Sequence, residues 1–243
     1  MNTIKLGSKY ASIVWMESKR VCVDGNRYSF SEVDMVQQLA KAVAQLPLKQ
    51  TCWIVDDTLV PTLLLHGIVE IPVDAETRNA FFCWRYSQSL GLDSSQIIQA
   101  LNLEKDVWLL FGIPQQQFDI WTQSAKMASH SIRKLIPRWV WLYNRLAPTR
   151  EVPGMLLSLS ASDDELFTGT LAAWKGNLVL LRQWTDPVSI ETWNAERVLP
   201  TIAYLQREKC SPQELCVWGS DYWPDCGICT QIIQPEIPTR EAI

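Results

Sequence analysis

The feature that most constrains the fold of this chain is an order of strand and helix signals that occurs twice. In the first block, three strands, a helix and a fourth strand are predicted at 10–15, 20–23, 27–30, 33–43 and 52–55. Asp24-Gly25-Asn26 predicts a hairpin between the second and third strands, because Gly and Asn tolerate positive φ. Ser29 and Glu32 have the spacing of a capping box at the start of the helix.

The second block follows the same β-β-β-α-β order near the C-terminus. Its predicted strands lie at 155–159, 166–174, 178–181 and 215–218, with a helix over 190–202. Lys175-Gly176-Asn177 supplies the hairpin turn, Ser189 can cap the helix, and Pro200 is expected to kink or divide it. The two blocks share element order and turn position but not residues, which predicts a two-lobed α/β protein built on a topological repeat.

Between the blocks lies an inserted region. A helix is predicted to start at 72–76 and carries Phe81, Phe82, Trp84 and Tyr86. A strand at 106–113, a helix at 115–128 and an apolar segment at 139–146 follow. The predicted organisation is a first lobe at 1–146 with an inserted subdomain around 62–104, a Pro/Gly-containing linker at 147–154, and a second lobe at 155–243.

Composition excludes several classes of function. The 243 residues carry a formal net charge of −4, whereas proteins that bind nucleic acid normally carry a basic excess. No apolar run approaches the roughly 20 residues that span a bilayer, and Met1–Lys5 does not begin a secretory signal. The cysteine count of seven is odd, which favours reduced thiols in a cytoplasmic protein. The twelve tryptophans, spread along the chain, favour core packing.

The repeated blocks with an insertion in the first resemble the actin-like (ribonuclease H-like) fold, and within it the PilM family of pilus and DNA-uptake assembly proteins (HofM and ComA types). The resemblance rests on the run 64–72 ending in Ile-Pro, the aromatic helix, the segment 106–114 and the strand and turn at 215–220. It implies a cytoplasmic docking component of a type IV pilus or competence machine. Its partner would be the N-terminal cytoplasmic tail of a PilN-type inner-membrane protein, which would hold it at the membrane without insertion.

The same resemblance raises two alternatives. ATP-binding members of the fold place Gly-rich turns after the first strand of each half, where backbone N–H groups approach the phosphates. Here those turns are 15–19 and 159–164, and neither contains glycine. We therefore expect no cofactor, no nucleotide turnover and no enzymatic activity; an actin-like ATPase or kinase is the alternative. A second alternative is a component of the type II secretion system similar to the cytoplasmic domain of GspL.

Other residues suggest chemistry only weakly. Cys226 and Cys229 form a CxxC, but a second pair at zinc-binding spacing is missing from the sequence. The two histidines, His66 and His130, have no neighbours that complete a catalytic triad, so structural or exposed positions are expected. Asp56-Asp57 resembles a nuclease metal site, but the first strand lacks the carboxylate that such a site needs, and capping or turn formation explains the pair.

The residues predicted to dock a partner lie in the inserted region. Aromatic and arginine side chains are enriched at binding hot spots, which favours Phe81, Trp84 and Arg85 on the aromatic helix. Leu63, Leu64 and Leu65 are expected to line the same cleft and to accept an extended peptide. The alternative is that the aromatic helix faces the core.

Overall fold

The computed structural model describes residues 11–17, 20–23, 26–29, 34–68, 70–92, 96–104, 106–146, 152–163, 165–234 and 240–241. These residues fall into two compact units. The N-terminal unit consists of the described residues before Pro137 together with the strand at 240–241, and the C-terminal unit runs from Pro137 to Gln234. Among the described residues, no helix is long and apolar enough to cross a membrane.

The first block of the N-terminal unit has the predicted β-β-β-α-β order. It contains β1 (Ala11–Met16), β2 (Arg20–Val23), β3 (Asn26–Ser29), α1 (Met35–Val43) and β4 (Gln50–Val55). Together with β8 (Ser131–Pro137), the strands lie in the order β3-β2-β1-β4-β8, and β14 (Arg240–Glu241) pairs with the start of β1. The β1–β2 pair is antiparallel and the β1–β4 pair is parallel, so α1 makes the crossover.

Helix α1 starts later than the sequence predicts. It begins at Met35, and Asp34 at its N-cap makes no side-chain capping hydrogen bond. Ser29 is instead the last residue of β3, and Glu32 lies outside the described residues, so the predicted capping box does not open this helix. Asp24 and Gly25 of the predicted hairpin turn are also outside the described residues, but Val23 and Asn26 pair across it.

The inserted subdomain is larger than predicted. It contains β5 (Thr62–Leu65), α2 (Ala75–Leu90), β6 (Gln96–Glu104) and β7 (Val107–Pro114). The described strands form an antiparallel sheet in the order β5-β7-β6. Because β7 pairs with both of the other strands, the insertion extends to Pro114 and not to about 104. Strand β6 was not predicted, since its apolar positions do not alternate regularly with polar ones.

Helix α3 (Gln115–Met127) confirms the helix predicted at 115–128 and returns the chain to the main sheet. It packs against α1, and its buried Trp121 lies with its ring centroid 6.0 Å from that of Trp53 in β4. The prediction that tryptophans serve mainly in the core is confirmed for a set that is almost fully buried: Trp15, Trp53, Trp121, Trp139, Trp174 and Trp193.

The C-terminal unit repeats the strand order of the first. Its strands are β9 (Gly154–Asp163), β10 (Leu166–Lys175), β11 (Asn177–Val188), β12 (Glu214–Trp218) and β13 (Cys229–Ile233). They lie in the order β11-β10-β9-β12-β13, and β12 runs parallel to β9 as β4 does to β1. The crossover from β11 to β12 is again helical, which confirms the second β-β-β-α-β block.

Pro200 divides this crossover as predicted. The helix starts as α5 (Ile190–Thr192), capped by Ser189, continues as a π-helical segment (Trp193–Val198) and becomes α6 (Leu199–Arg207), with Pro200 in its first turn. Proline has no N–H to donate within a helix and its ring crowds the preceding turn, so it interrupts the regular α-helical hydrogen bonding at this point. The π segment accommodates the change of geometry before it.

The boundary between the units differs from the predicted linker at 147–154. Helix α4 (Arg138–Leu146) packs on β9 and β10 and therefore belongs to the C-terminal unit. The Tyr143 ring lies edge-on to Trp174, with centroids 6.1 Å apart, and the Arg138 guanidinium donates to the Ser158 hydroxyl at 3.0 Å. Residues 147–151 of the predicted linker lie outside the described residues.

The packing of α2 on its sheet can be tested at Gly112. A Cβ atom there would lie 2.3 Å from the Tyr86 ring, so Gly112→Ala forces the buried ring to move. We expect the free energy of unfolding to fall by about 1–3 kcal/mol, the usual cost of overpacking. Thermal denaturation measures the change, with Ser89→Ala on the exposed side of α2 as the control. An unchanged melting temperature for Gly112→Ala would show that Tyr86 does not pack against β7.

Candidate functional site

Helix α2, which carries the predicted docking residues, has well-defined ends. Asp74 caps its N-terminus, with Oδ2 accepting from the Thr77 backbone N–H at 2.8 Å and from the Thr77 hydroxyl at 2.9 Å. These hydrogen bonds, the backbone one above all, lower the pKa of the Asp74 carboxyl. Gly91 ends the helix with φ 63°. The predicted start at 72–76 is therefore confirmed.

The inner face of α2 is anchored by two buried aromatic side chains. Phe82 lies with its ring centroid 4.7 Å from that of Trp108 on β7. Tyr86 packs against the backbone of Gly112 and donates its hydroxyl to the Pro61 carbonyl at 2.7 Å. Burial of this phenol raises the pKa of Tyr86. Because both anchors are fixed, the rotation of α2 about its axis is fixed as well.

The remaining face of α2 presents the three predicted docking residues together. Trp84 is 53% exposed although it is one of the largest apolar side chains in the chain. Phe81 is half-buried and lies 6.4 Å from Trp84 between ring centroids. The Arg85 guanidinium lies over both rings, 5.6 Å from the Phe81 centroid and 5.0 Å from that of Trp84. We call Phe81, Trp84 and Arg85 the α2 surface.

The cation–π contacts of Arg85 define the shape of the α2 surface. Each such contact contributes about 0.5–1 kcal/mol at exposed sites, enough to favour one arrangement of the three side chains. The Arg85 Nε atom is buried and, in the described part of the chain, has no hydrogen-bond acceptor. A buried donor without an acceptor costs about 1–3 kcal/mol. The three side chains of the α2 surface are thus ordered, but the Arg85 Nε–H has no acceptor among the described residues.

The leucines of β5 do not all share a cleft with the α2 surface. Leu63 and Leu65 pack against the buried cluster of Phe82, Tyr86 and Leu110. Leu64 points to the opposite face of the sheet, where it is paired with the buried Leu109. The structure therefore brings Phe81, Trp84 and Arg85 together, places Leu63 and Leu65 beneath the same helix, and separates Leu64.

Strand β5 lies at the edge of the described sheet, which gives Leu64 a different role. The Gly112 N–H donates to the Pro61 carbonyl at 3.2 Å, so Pro61 is in a hydrogen-bonded position toward β7. Because hydrogen-bonded and non-hydrogen-bonded positions alternate in an antiparallel pair, the N–H and C=O of Leu64 point away from β7. The Leu64 side chain does not line the predicted cleft. Its backbone N–H and C=O point outward from the edge of the sheet.

The two alternatives for the aromatic helix are both realised, each by different residues. Phe82 and Tyr86 face the core, as the structural alternative predicts, while Trp84 faces solvent. The helical period places residues 82 and 86 one turn apart on one side and residue 84 on the opposite side, with residues 81 and 85 on the flanks between them. The sequence shows this period, but not which side contacts the sheet.

The CxxC thiols of the C-terminal unit point apart. The buried Cys226 belongs to the core cluster, and its sulfur lies 3.5 Å from the Thr230 hydroxyl oxygen. Cys229 precedes Thr230 on the strand, so it points to the other face, and it is exposed. Within the described ranges, no group of three or more His, Cys, Asp or Glu side chains is arranged to hold a metal ion.

The other candidate residues have structural roles. The Asp56 carboxylate accepts from the Thr58 N–H at 2.9 Å and hydroxyl at 2.8 Å, which confirms the capping interpretation of Asp56-Asp57. His130 is buried, with Nδ1 2.7 Å from the Ala128 carbonyl oxygen and Nε2 3.3 Å from that of Leu46. His66 is exposed. The expected structural and exposed positions of the histidines are confirmed.

Sequence reasoning missed Arg138, the first residue of α4, whose buried guanidinium contacts β9. Its Nε donates to the Ser158 hydroxyl, and Nη2 donates to the Leu159 carbonyl at 3.0 Å and to the Ser160 hydroxyl at 2.6 Å. The guanidinium also lies 4.2 Å from the Trp218 ring centroid on β12. The available signal was an arginine at the head of an apolar, aromatic segment that directly follows Pro137.

Comparison with known proteins shows a likeness in structure but not in sequence. No family model matches the chain, and no curated protein matches it. The cytoplasmic domain of EpsL, an inner-membrane component of the type II secretion system of Vibrio cholerae, is similar with a TM-score of 0.54 at 10% identity, over 95% of this chain and 91% of that one. A PilM–PilN type IV pilus biogenesis complex is similar with a TM-score of 0.55 at 11% identity, over 83% and 74%. The predicted actin-like α/β fold is confirmed.

Thiol labelling tests the geometry of the CxxC. Under native conditions, iodoacetamide should label Cys229 first, because it is exposed. Cys52 should be among the last, because burial raises the pKa of its thiol to about 12 and only the thiolate reacts. Peptide mass spectrometry over a time course follows each site, with urea-unfolded protein as the control. Equal labelling of Cys226 and Cys229 in the native protein would contradict the opposite-face arrangement.

Proposed function

We propose that this chain is a docking component of a type IV pilus or DNA-uptake machine. It binds the N-terminal cytoplasmic tail of a PilN-type inner-membrane protein, and it does so without nucleotide turnover. It works in the cytoplasm and is held at the membrane by that partner. The observation that carries the proposal is the ordered α2 surface with its exposed Trp84, on a chain with the fold of PilM and of the EpsL cytoplasmic domain.

Exposure of Trp84 supports docking at the α2 surface. A large aromatic side chain offers much apolar area at a small cost in side-chain entropy, which is why tryptophan is enriched at binding hot spots. The contacts with Phe81 and Arg85 order the ring before a partner arrives. A preordered anchor gives up less entropy on binding than a mobile one.

The edge of β5 supports an extended conformation for the bound tail. The outward N–H and C=O of Leu64 offer a hydrogen-bonding pair to an added strand, the arrangement of β-augmentation. Alternate side chains of such a strand would point to the side where Leu63 and Leu65 lie, both of which are only partly buried. Main-chain pairing would supply affinity, and the partly exposed leucines would select apolar side chains.

The segments expected to form the two phosphate-side turns, 15–19 and 159–164, support the absence of nucleotide turnover. The N–H of Glu17 donates to the Arg20 carbonyl at 2.8 Å, so this backbone donor is already used within the β1–β2 turn. Ser18, Lys19 and Asp164 of these turns lie outside the described residues. The segment 159–163, which was expected to belong to the second turn, is instead part of β9 and pairs with β10, so its backbone lies in the sheet. Phosphate binding would need free N–H groups at such turns.

A role in type II secretion is the second candidate. The observation that favours it is the EpsL cytoplasmic domain, which matches nearly the whole of this chain and is itself nearly fully covered. Both candidates place the protein beneath an inner-membrane partner, and they differ in which partner that is. Binding of a PilN-type tail, but not of type II secretion components, supports the first.

Substitutions on α2 test the docking surface. We expect Trp84→Ala and Phe81→Ala each to weaken binding of a tail peptide about tenfold or more, the range of truncated hot-spot residues. The probe is a fluorescein-labelled synthetic peptide with the N-terminal cytoplasmic sequence of the same organism's PilN-type protein, and fluorescence anisotropy gives Kd. Met127→Ala removes an exposed apolar side chain from α3 and is the matched control. Unchanged Kd values for both α2 variants would refute docking at this surface.

Calorimetry tests the proposed lack of nucleotide binding. Titration of the full chain with Mg-ATP at up to millimolar concentration should give no binding heat, and the melting temperature should stay constant because a ligand of the native state would raise it. A micromolar dissociation constant would instead support the actin-like ATPase alternative.

A further inference from the structure

Arg85 gives the α2 surface a positive charge, and the part of the chain that the structure describes supplies no acidic partner for it. The residues three and four positions before and after Arg85 are its neighbours on the helix surface. All of them are uncharged: Phe81, Phe82, Gln88 and Ser89. No ion pair or hydrogen bond of Arg85 exists in the described part of the chain, where its contacts are the rings of Phe81 and Trp84. Among the described residues, its charge is therefore not neutralised.

The guanidinium is also held in place, which distinguishes it from an ordinary surface arginine. The two ring contacts restrict the orientation of its plane. A fixed guanidinium presents its N–H groups as a planar fork that matches the two oxygens of a carboxylate. A lysine at this position would offer the charge but not the fork.

We propose that the segment docked on the α2 surface carries an Asp or Glu side chain next to an apolar residue. Arg85 binds the carboxylate, and Trp84 packs against the apolar side chain. This inference rests on the proposed function, because it specifies the chemistry of the partner at the same surface. A docked segment without an acid would cover Arg85 and remove water from a cation to which the described residues give no counter-charge, which opposes binding.

Selection from a random peptide library tests the inference without knowledge of the natural partner. Twelve-residue peptides displayed at the N-terminus of a phage coat protein have no free C-terminal carboxylate, so any acid selected is a side chain. Selection on the full chain should enrich Asp or Glu adjacent to an apolar residue relative to the unselected library. Selection on Arg85→Gln should lose this enrichment and keep the apolar residue.

A double-mutant cycle then tests whether the acid contacts Arg85. For a synthetic peptide of the most enriched sequence, replacement of its acid by the amide should raise Kd about five- to tenfold, and Arg85→Gln should do the same with the original peptide. The two changes together should cost no more than either alone, because both remove one interaction. Arg85→Lys should recover only part of the affinity, and all variants should keep the wild-type melting temperature.

The outcomes separate the inference from the proposed function. If the selected peptides lack acids and Arg85→Gln binds them like the wild type, while Trp84→Ala loses them, the carboxylate partner is refuted and docking at the α2 surface stands. If Trp84→Ala, Phe81→Ala and Arg85→Gln all bind the selected peptides like the wild type, docking at this surface fails and the inference fails with it. Additive effects in the cycle would show that the acid binds elsewhere.

Discussion

Parallel pairing between the first strand of each block and the strand after its helix is the constraint on which the structure depends. Neighbouring parallel strands cannot be joined by a tight turn, so β1–β4 and β9–β12 each require a crossover. Helix α1 makes one crossover, and the α5–π–α6 segment makes the other. The crossover covers one face of each sheet, and β4 and β12 are buried at nearly every position, the pattern of strands that are covered on both faces.

The inserted subdomain is built differently, because its sheet is antiparallel. Helix α2 covers one face of that sheet. The close approach of Tyr86 to Gly112, together with its hydrogen bond to the Pro61 carbonyl, sets the position of α2. Once that side is fixed, the period of the helix leaves Trp84 in solvent. Exposure of the α2 surface is thus a consequence of core packing on the opposite side. A glycine in β7 determines which aromatic residues remain available to a partner.

In the N-terminal unit, helix α3 precedes β8, the last strand in the order of the sheet. In the C-terminal unit, a short connection without a helix precedes the corresponding strand, β13. The path from β12 to the parallel β13 is the segment 219–228, whose Trp223, Cys226 and Ile228 pack on the core. Gly219 permits this path because its φ is 94° and a Cβ there would lie 2.3 Å from the Leu159 carbonyl oxygen. The two units therefore share strand order while they differ in what covers the sheet. This difference explains why the repeat is visible as topology and not as sequence.

The sequence alone determined the elements that depend on local signals. Strand alternation, hairpin glycines and the proline in the second crossover are properties of neighbouring residues, so both blocks and the division at Pro200 were predicted correctly. The start of α2 at Asp74 was predicted for the same reason. The grouping of Phe81, Trp84 and Arg85 also follows from the helical period.

Tertiary structure decided what depends on contacts between distant segments. The pairing of β7 with both β5 and β6 extended the insertion to Pro114, and the packing of α4 on β9 and β10 moved the boundary between the units. Tertiary structure also decided which leucines of β5 lie beneath α2, because only the assembled sheet shows which of its faces α2 covers. Burial of Arg138 needed β9 and β12 side by side. Local patterns predict which residues share a face of a helix or strand. Whether that face is buried or exposed depends on the segments that pack against it.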